Sequence, residues 1–434
     1  MTCKIFGTVL KSNLYKMKRD TLIIGVLIAA GLLYRIFLAS LAVNDPRFDV
    51  ATYESLAKDF LGGRLAIDCC AKNSGYSGFL ALIYFFFGTG NHQAVQSVQI
   101  VLDLASGLLL YRVSRIYFSA SSAVITFLIY MLNPLTSSYT GILLPEVVSI
   151  FFLSLLLFVI SKQNNISSVT VWFFTGFLLG IMVFIRTQFF ILAVLFAPVF
   201  TLFCVHKGKR LIFAVIVTVA FIIASSYSLA GNYLLYERIT FIPPYGPGFM
   251  QMYEVFTRTG PYPEVPEEYS FDDPVRQSML IDYFQAPLHE KSEITNLYTK
   301  KFQEKIRVDW LLFIKKYYYS MFWIWDKRHL YYYQDPFYAI DHFPIKIGNA
   351  VLLALALTGL VKFSVSKKFS ALRNPLYVVS TVFLVGASVI YPLVSYESRH
   401  TITLYGLVFL WAGYGVVSWR TLVNFYFRRK KQYE

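Results

Sequence analysis

"TLIIGVLIAAGLLYRIFLASLAV" (Thr21–Val43) runs directly into "NDPRFDVATYESLAKDF" (Asn44–Phe60). The first stretch is apolar over the roughly 20 residues needed to cross about 30 Å of hydrocarbon. The second sets Asp45, Arg47, Asp49 and Tyr53 at the point where that run ends. What this polar stretch does depends on which side of a membrane it faces, so topology is the first question.

Working outward, similar apolar runs recur. The spans expected are Thr21–Val43, Ala94–Val113, Ser119–Thr140, Val147–Ile160, Val169–Ile185, Phe189–Val205, Leu211–Gly231, Ile347–Val361, Pro375–Leu393 and Ile402–Trp419. The chain is 56% hydrophobic, 18% aromatic and only 15% charged, which no ordinary soluble domain of 434 residues would be. These runs predict an all-α polytopic membrane protein of about ten transmembrane helices, solvated by the lipid bilayer.

The formal net charge of +15 is a topology signal. On the side that holds both termini, short segments carry 20 of the 40 Lys and Arg residues and only Asp20 and Glu434 as acids. Acids and bases nearly balance in the two long segments on the other side, about 44–93 and 232–346. By the positive-inside bias the termini are cytoplasmic and the long segments face out. The tail "FRRKKQYE" suits anionic lipid, and no nucleic-acid partner is needed to explain the basic charge. A cell inner membrane is the expected location.

The organisation read from these features is a cytoplasmic N-terminus (1–20), a transmembrane module (21–231) with its first outer loop at 44–93, an outer segment (232–346), C-terminal transmembrane helices (347–419) and a basic cytoplasmic tail (420–434). Within the first loop, "GYSGFLALIYFFFG" (Gly75–Gly88) is apolar but short for a span, which predicts an interfacial helix. The second outer segment is mixed. "NYLLYERITFIPPYGPGF" predicts a short extended piece and turns, and the Tyr- and Trp-rich stretch around Lys315 and Lys316 predicts a helix at the membrane–water boundary. Cys69 and Cys70 are adjacent, where a disulfide is strained, and are expected as free thiols. Arg35 lies within snorkelling reach of the interface, whereas Asp103 falls mid-span, as a functional or a pairing residue.

In Asn44–Phe60, Asp45 fits an N-cap and Pro46 a first helical residue. Asp49, Tyr53, Ala57 and Phe60 then share one helical stripe. Spacing alone fits a capped amphipathic surface helix as well as a chemical site.

An acidic residue just outside the first span, with Tyr four and Ala eight positions later, resembles the first outer loop of GT-C glycosyltransferases. The branch it resembles contains the protein O-mannosyltransferases and the lipid A aminoarabinose transferases. Further matches follow in order: "SGYSGFLALIYFFFGTGNHQAVQSVQIVLDLASGLLLYRVSRIYF" (Ser74–Phe118), "MLNPLTSSYTGILLPEVV" (Met131–Val148), "GIMVFIRTQFFIL" (Gly180–Leu192) and "YESRHTITLYGLVFLWAGYG" (Tyr396–Gly415). They resemble the family's surface helix and following span, its segment before the fourth span, its Gly…Arg-Pro segment and its last Arg-containing loop. Pro145 stands where the family usually has Thr, and Gln188 lies one position beyond the usual Pro.

The resemblance implies a GT-C-like fold and a hexosyl or pentosyl transfer from a polyprenyl-phosphate sugar donor to a cell-envelope acceptor on the outer face, with inversion. It implies a carboxylate base for the acceptor hydroxyl, here Asp49, and fixed cations for the phosphate leaving group. Arg399 is the first candidate for the phosphate and Arg186 the second. Asp45, Tyr53 and Glu146 complete the expected substrate-binding set. As plain structure, Glu146 fits a helix cap, Arg186 a snorkelling cation, and Arg399 an ion pair with Glu397. The six His residues show no zinc-ligand spacing, so no cofactor is expected, although Asp45 and Asp49 would suit a divalent ion. An O-antigen-type polymerase shares the many spans and large outer loop but lacks the acidic helix after the first span. A transporter or flippase would show polar residues within several spans and internal repeats.

Overall fold

The computed structural model describes residues 2–42, 49–70, 72–161, 168–246, 253, 283, 286–327, 330, 343–393 and 398–433. Among these the chain is helical and contains no strand. The helices are α1 (Thr2–Ser40), α2 (Asp49–Leu61), α3 (Gly75–Phe87), α4 (His92–Tyr117), α5 (Ala120–Leu132), α6 (Pro134–Ser137), α7 (Glu146–Ser161), α8 (Val169–Ile185), α9 (Phe189–Cys204) and α10 (Arg210–Tyr236). They continue with α11 (Leu288–Val308), α12 (Trp310–Trp323), α13 (Phe343–Lys367), α14 (Pro375–Ile390) and α15 (Tyr405–Tyr433).

Every expected span falls on a helix. Six are long and apolar enough to cross a membrane, and a seventh forms if α5 and the bent continuation to Gly141 count together. That bend of 48° has a local cause. Asn133 precedes Pro134, whose ring pushes it to extended backbone (ψ 123°), and the Asn133 side chain then caps the new start by accepting from Leu135 N–H. Helices α7, α8 and α9 are apolar but only 16 or 17 residues long, so the described residues do not bear out a count of ten full-length spans. Together these helices make the chain a multi-pass membrane protein.

α15 is the central post. From Leu404 to Ala412 nearly every side chain is buried, against α4, α5, α7 and α13. Close helix approach rests on glycine. A Cβ at Gly359 would strike the Trp411 carbonyl, and one at Gly176 or Gly180 would strike α10 backbone. In lipid, where apolar packing alone gives no preference for a partner helix, such small-residue contacts bring the backbones together.

Arg35 does not snorkel. It is fully buried on α1, and its Nε lies 2.6 Å from Asp103 Oδ2 of α4. Tyr130 of α5 donates to the other Asp103 oxygen at 2.6 Å, and Arg35 Nη1 donates to the Gly31 and Met131 carbonyls. A charge in the hydrocarbon interior is tolerated when it faces protein and is paired, which is the case here. Asp103 is therefore a pairing residue that ties three spans together.

Outside the spans, α3 is the expected short helix, with Phe85, Phe86 and Phe87 exposed on its outer end. α12 is the expected aromatic helix, exposing Trp310, Leu311, Ile314, Tyr318 and Phe322 along one stripe. No strand forms after Asn232 among the described residues: α10 continues to Tyr236, and residues 237–246 are irregular with a turn at 244–245. Cys69 and Cys70 are joined as a disulfide rather than free.

Candidate active site

One end of the bundle gathers four chain segments that the sequence keeps far apart. α2 begins, within the described residues, at Asp49, a position where a carboxylate is favoured by the helix dipole. Val50, Tyr53, Leu56 and Ala57 of α2 are buried, and the helix packs on α3. Glu146 opens α7, Arg186 caps the end of α8, and Arg399 lies on the 3-10 turn Ser398–Leu404 that leads into α15.

These residues line a single pocket with Tyr53, Lys72, Asn73, Gln188 and His400. Its empty volume is about 310 Å³ with the open solvent at its mouth included. Of the residues expected to act, Asp49, Tyr53, Glu146, Arg186 and Arg399 are all brought together here. Asp45 lies outside the described residues, as do Arg47 and Glu397, the partner expected for Arg399.

Two ion networks face each other across the pocket. In the first, the two oxygens of Asp49 are taken by different cations: Arg399 Nη2 lies 2.6 Å from Oδ2 and Lys72 Nζ 2.8 Å from Oδ1. Arg399 is almost wholly buried, whereas Asp49 and Lys72 keep nearly a fifth of their side chains exposed. In the second, Arg186 Nη1 lies 2.8 Å from Glu146 Oε1, and Arg186 Nε donates to Gln188 Oε1 at 2.6 Å. The Glu146 carboxylate is fully buried, yet neither of its oxygens meets hydrogen-bond geometry with any described residue. The Glu146–Arg186 contact is an ion pair, and Glu146 Oε2 has no other partner among the described residues. A buried carboxylate left in this way is costly unless something else completes its shell.

Among the described residues, three cations line the pocket against two carboxylates, an excess that suits an anionic group entering it. Tyr53 sits between the networks. Burial pushes its hydroxyl well above the ordinary tyrosine range; Asp49 and Glu146 push it further, and Arg186 and Arg399 act against them. It therefore stays a neutral O–H donor across any assay pH.

Sequence reasoning missed Lys72. A single lysine ahead of an apolar helix has no period or spacing to mark it; only the fold returns it to Asp49. Its loop is held from several sides. Lys72 N–H donates to Asp68, Asn73 Nδ2 donates to the Val183 carbonyl at 2.6 Å, and Ser74 Oγ donates to the Ala66 carbonyl. Asp68, Cys69 and Cys70 bring ligand-type atoms within 4.8 Å of one another. The disulfide removes the thiolates a metal would require of the two cysteines.

Residues 76–229 match the family described as dolichyl-phosphate-mannose-protein mannosyltransferase. No curated protein matches the chain. Among solved structures it resembles the archaeal oligosaccharyltransferase AglB from Archaeoglobus fulgidus in complex with an inhibitory peptide and a dolichol-phosphate. The TM-score is 0.55 at 12% identity, over 96% of this chain and 52% of that one. A second structure of the A. fulgidus enzyme, tethered to an acceptor peptide, gives 0.56 at 12% identity, over 95% of this chain and 51% of that one. ArnT from Cupriavidus metallidurans bound to undecaprenyl phosphate matches at 0.42 and 15% identity, over 90% of this chain and 77% of that one. The chain spans about half the length of the solved oligosaccharyltransferases it matches. The family match over 76–229 supports the protein O-mannosyltransferase part of the resemblance read from the sequence, and the fold is shared with the archaeal oligosaccharyltransferase.

Proposed function

We propose that the chain transfers a sugar from a polyprenyl-phosphate donor to a cell-envelope acceptor, with inversion, at the pocket around Asp49. The observation that carries this reading is the convergence of Asp49, Glu146, Arg186 and Arg399, from four separate segments, at one end of a membrane bundle. The oligosaccharyltransferase that shares the fold was solved with a dolichol-phosphate, a lipid phosphate of the kind such a donor releases.

In this reading Asp49 takes the proton from an acceptor hydroxyl as that oxygen bonds to the anomeric carbon. The bond from that carbon to the phosphate oxygen breaks, and the lipid phosphate leaves with the electron pair. Fixed cations lower the cost of the charge that gathers there. Arg399 and Lys72 would fill this role, and both pair with Asp49. A phosphate entering the pocket competes for both, so donor binding draws the cations away and frees the carboxylate for the acceptor. Arg186 adds a third cation, and Glu146, with its unfilled shell, receives a polar group of donor or acceptor. Tyr53 supplies a neutral donor beside them.

The positive bias of the short segments supports a pocket on the outer face, with both termini cytoplasmic, which we read as an inner (plasma) membrane topology. The donor then enters sideways from the bilayer. The transfer so read needs no cofactor beyond the lipid-linked sugar.

The test is consumption of radiolabelled polyprenyl-phosphate sugars by purified protein in proteoliposomes with envelope extract as acceptor. Donor consumed, with label passing to an envelope component, supports the reading. A panel of hexosyl and pentosyl donors that is neither bound nor consumed contradicts it.

A further inference from the structure

The segment that delivers Glu146 to the pocket is irregular and buried. Between the 3-10 turn Ser138–Gly141 and α7, Ile142, Leu143 and Leu144 have almost no exposure; Ile142 N–H donates to the Tyr139 carbonyl and Leu144 N–H to the Ile142 carbonyl, but no regular helix runs through them. Buried carbonyls without a helix or sheet must find donors elsewhere. Three consecutive carbonyls, Thr140 and Gly141 at the end of the turn and Ile142 after it, accept from α4, Ile142 in addition to its bond from Leu144. Gln99 Nε2 donates to the Thr140 carbonyl at 3.1 Å and to the Ile142 carbonyl at 2.9 Å, and Gln96 Nε2 donates to the Gly141 carbonyl at 2.8 Å.

Gln99 is fully buried, and its other amide atom is equally committed. Because Thr140 and Ile142 offer carbonyls that only accept, the Gln99 nitrogen must face them and its oxygen must face away. That oxygen accepts from the Tyr76 hydroxyl at 2.9 Å. Tyr76, on α3 and fully buried, meets Tyr53 edge to face at 5.0 Å. Tyr53 lies one turn along α2 from Asp49. One amide thus holds the strut that ends in Glu146 and, through one ring, the helix that bears Asp49.

We infer that Gln99 is a positioning residue that sets the placement of Glu146 relative to Asp49. It touches no substrate; it acts through the carbonyls of Thr140 and Ile142 on one side and through Tyr76 on the other. The inference rests on the function proposed above for the pocket, but its geometric part can be read without any activity.

The experiment compares wild type, Gln99→Leu and Tyr76→Phe by hydrogen exchange, donor binding and turnover per folded molecule. Gln99→Leu keeps the bulk and deletes all three hydrogen bonds; Tyr76→Phe deletes only the bond on the Tyr53 side. For Gln99→Leu, exchange across residues 138–146 should rise by about tenfold as the carbonyl anchors are lost. Its turnover should fall by about ten- to a hundredfold, with donor affinity unchanged within about twofold. Tyr76→Phe should lower turnover less and leave exchange at 138–146 as in wild type. A merely structural Gln99 would lose folded protein and donor binding together, with normal turnover in what remains, and that result overturns the inference. So does unchanged exchange at 138–146 in Gln99→Leu. Should Gln99→Leu fail to fold, Gln99→Glu, which keeps the acceptor for Tyr76 and loses the paired donors, gives the same reading at 138–146. If wild type consumes no polyprenyl-phosphate sugar, the proposed function fails, and the exchange comparison alone decides whether Gln99 holds the segment.

Discussion

Two of the buried charge clusters among the described residues are built differently. Around Arg35 and Asp103, within the bundle, both carboxylate oxygens are engaged, the guanidinium reaches backbone carbonyls, and both side chains are sealed from solvent. Around Asp49 and Glu146, at the end of the bundle, the cations outnumber the carboxylates, Glu146 lacks hydrogen-bond geometry, and the cluster opens on a pocket. The first cluster is complete without any ligand. The second is arranged as if part of its shell were to arrive from outside. Burial and charge are common to both, so neither separates a clamp from a site; completeness does.

That contrast predicts opposite responses to substitution. The largest effect expected is on folding. Asp103→Ala strands Arg35 in the bundle and should cost about 3–5 kcal/mol, read as a lower unfolding midpoint in detergent. Arg35→Met with Asp103→Leu should recover most of that loss, because the desolvation cost of both charges disappears with the pair. A double variant no more stable than Asp103→Ala would break the account of this cluster.

In the pocket the losses should fall on activity instead. Glu146→Gln removes a charge whose shell is incomplete, so its unfolding midpoint should stay near wild type while turnover falls by about a hundredfold. A large loss of stability there would make Glu146 a structural partner of Arg186 and erase the distinction between the clusters. Lys72→Met should weaken donor binding by about tenfold, the scale of one hydrogen bond to a charged group. Tyr53→Phe should have a smaller effect, about threefold to tenfold on turnover, the scale of one neutral hydrogen bond. Because burial keeps that hydroxyl protonated, the pH profile of turnover should be the same in Tyr53→Phe and wild type up to about pH 10. The smallest effect expected is from metal removal: EDTA should leave turnover unchanged. Loss of turnover restored by a divalent ion would add a ligand to the pocket's carboxylates.

Much of this was legible in the chain because lipid imposes long, uninterrupted signals. A span such as Thr21–Ser40 declares itself by composition alone, and the boundary stretch beyond it marks Asp49 by contrast. The candidate residues Glu146, Arg186 and Arg399 come from the family resemblance, since as plain structure they fit a helix cap, a snorkelling cation and an ion pair. What the sequence hides is pairing. Arg399 and Asp49 are 350 positions apart, and no local rule joins them. Lys72 and Gln99 look ordinary in their own segments, and Arg35 lay close enough to a span end to read as a snorkelling cation. Each acquires its role only from a neighbour the fold supplies.

The central claim is that Asp49 is the base of a lipid-linked sugar transfer, and Asp49→Asn in proteoliposomes tests it most directly. This variant should bind a polyprenyl-phosphate sugar at least as well as wild type, because Arg399 and Lys72 are no longer held by the carboxylate. Its turnover should fall by about a hundredfold or more. Normal turnover in Asp49→Asn would contradict the claim and reduce the stretch at Asn44–Phe60 to a capped surface helix.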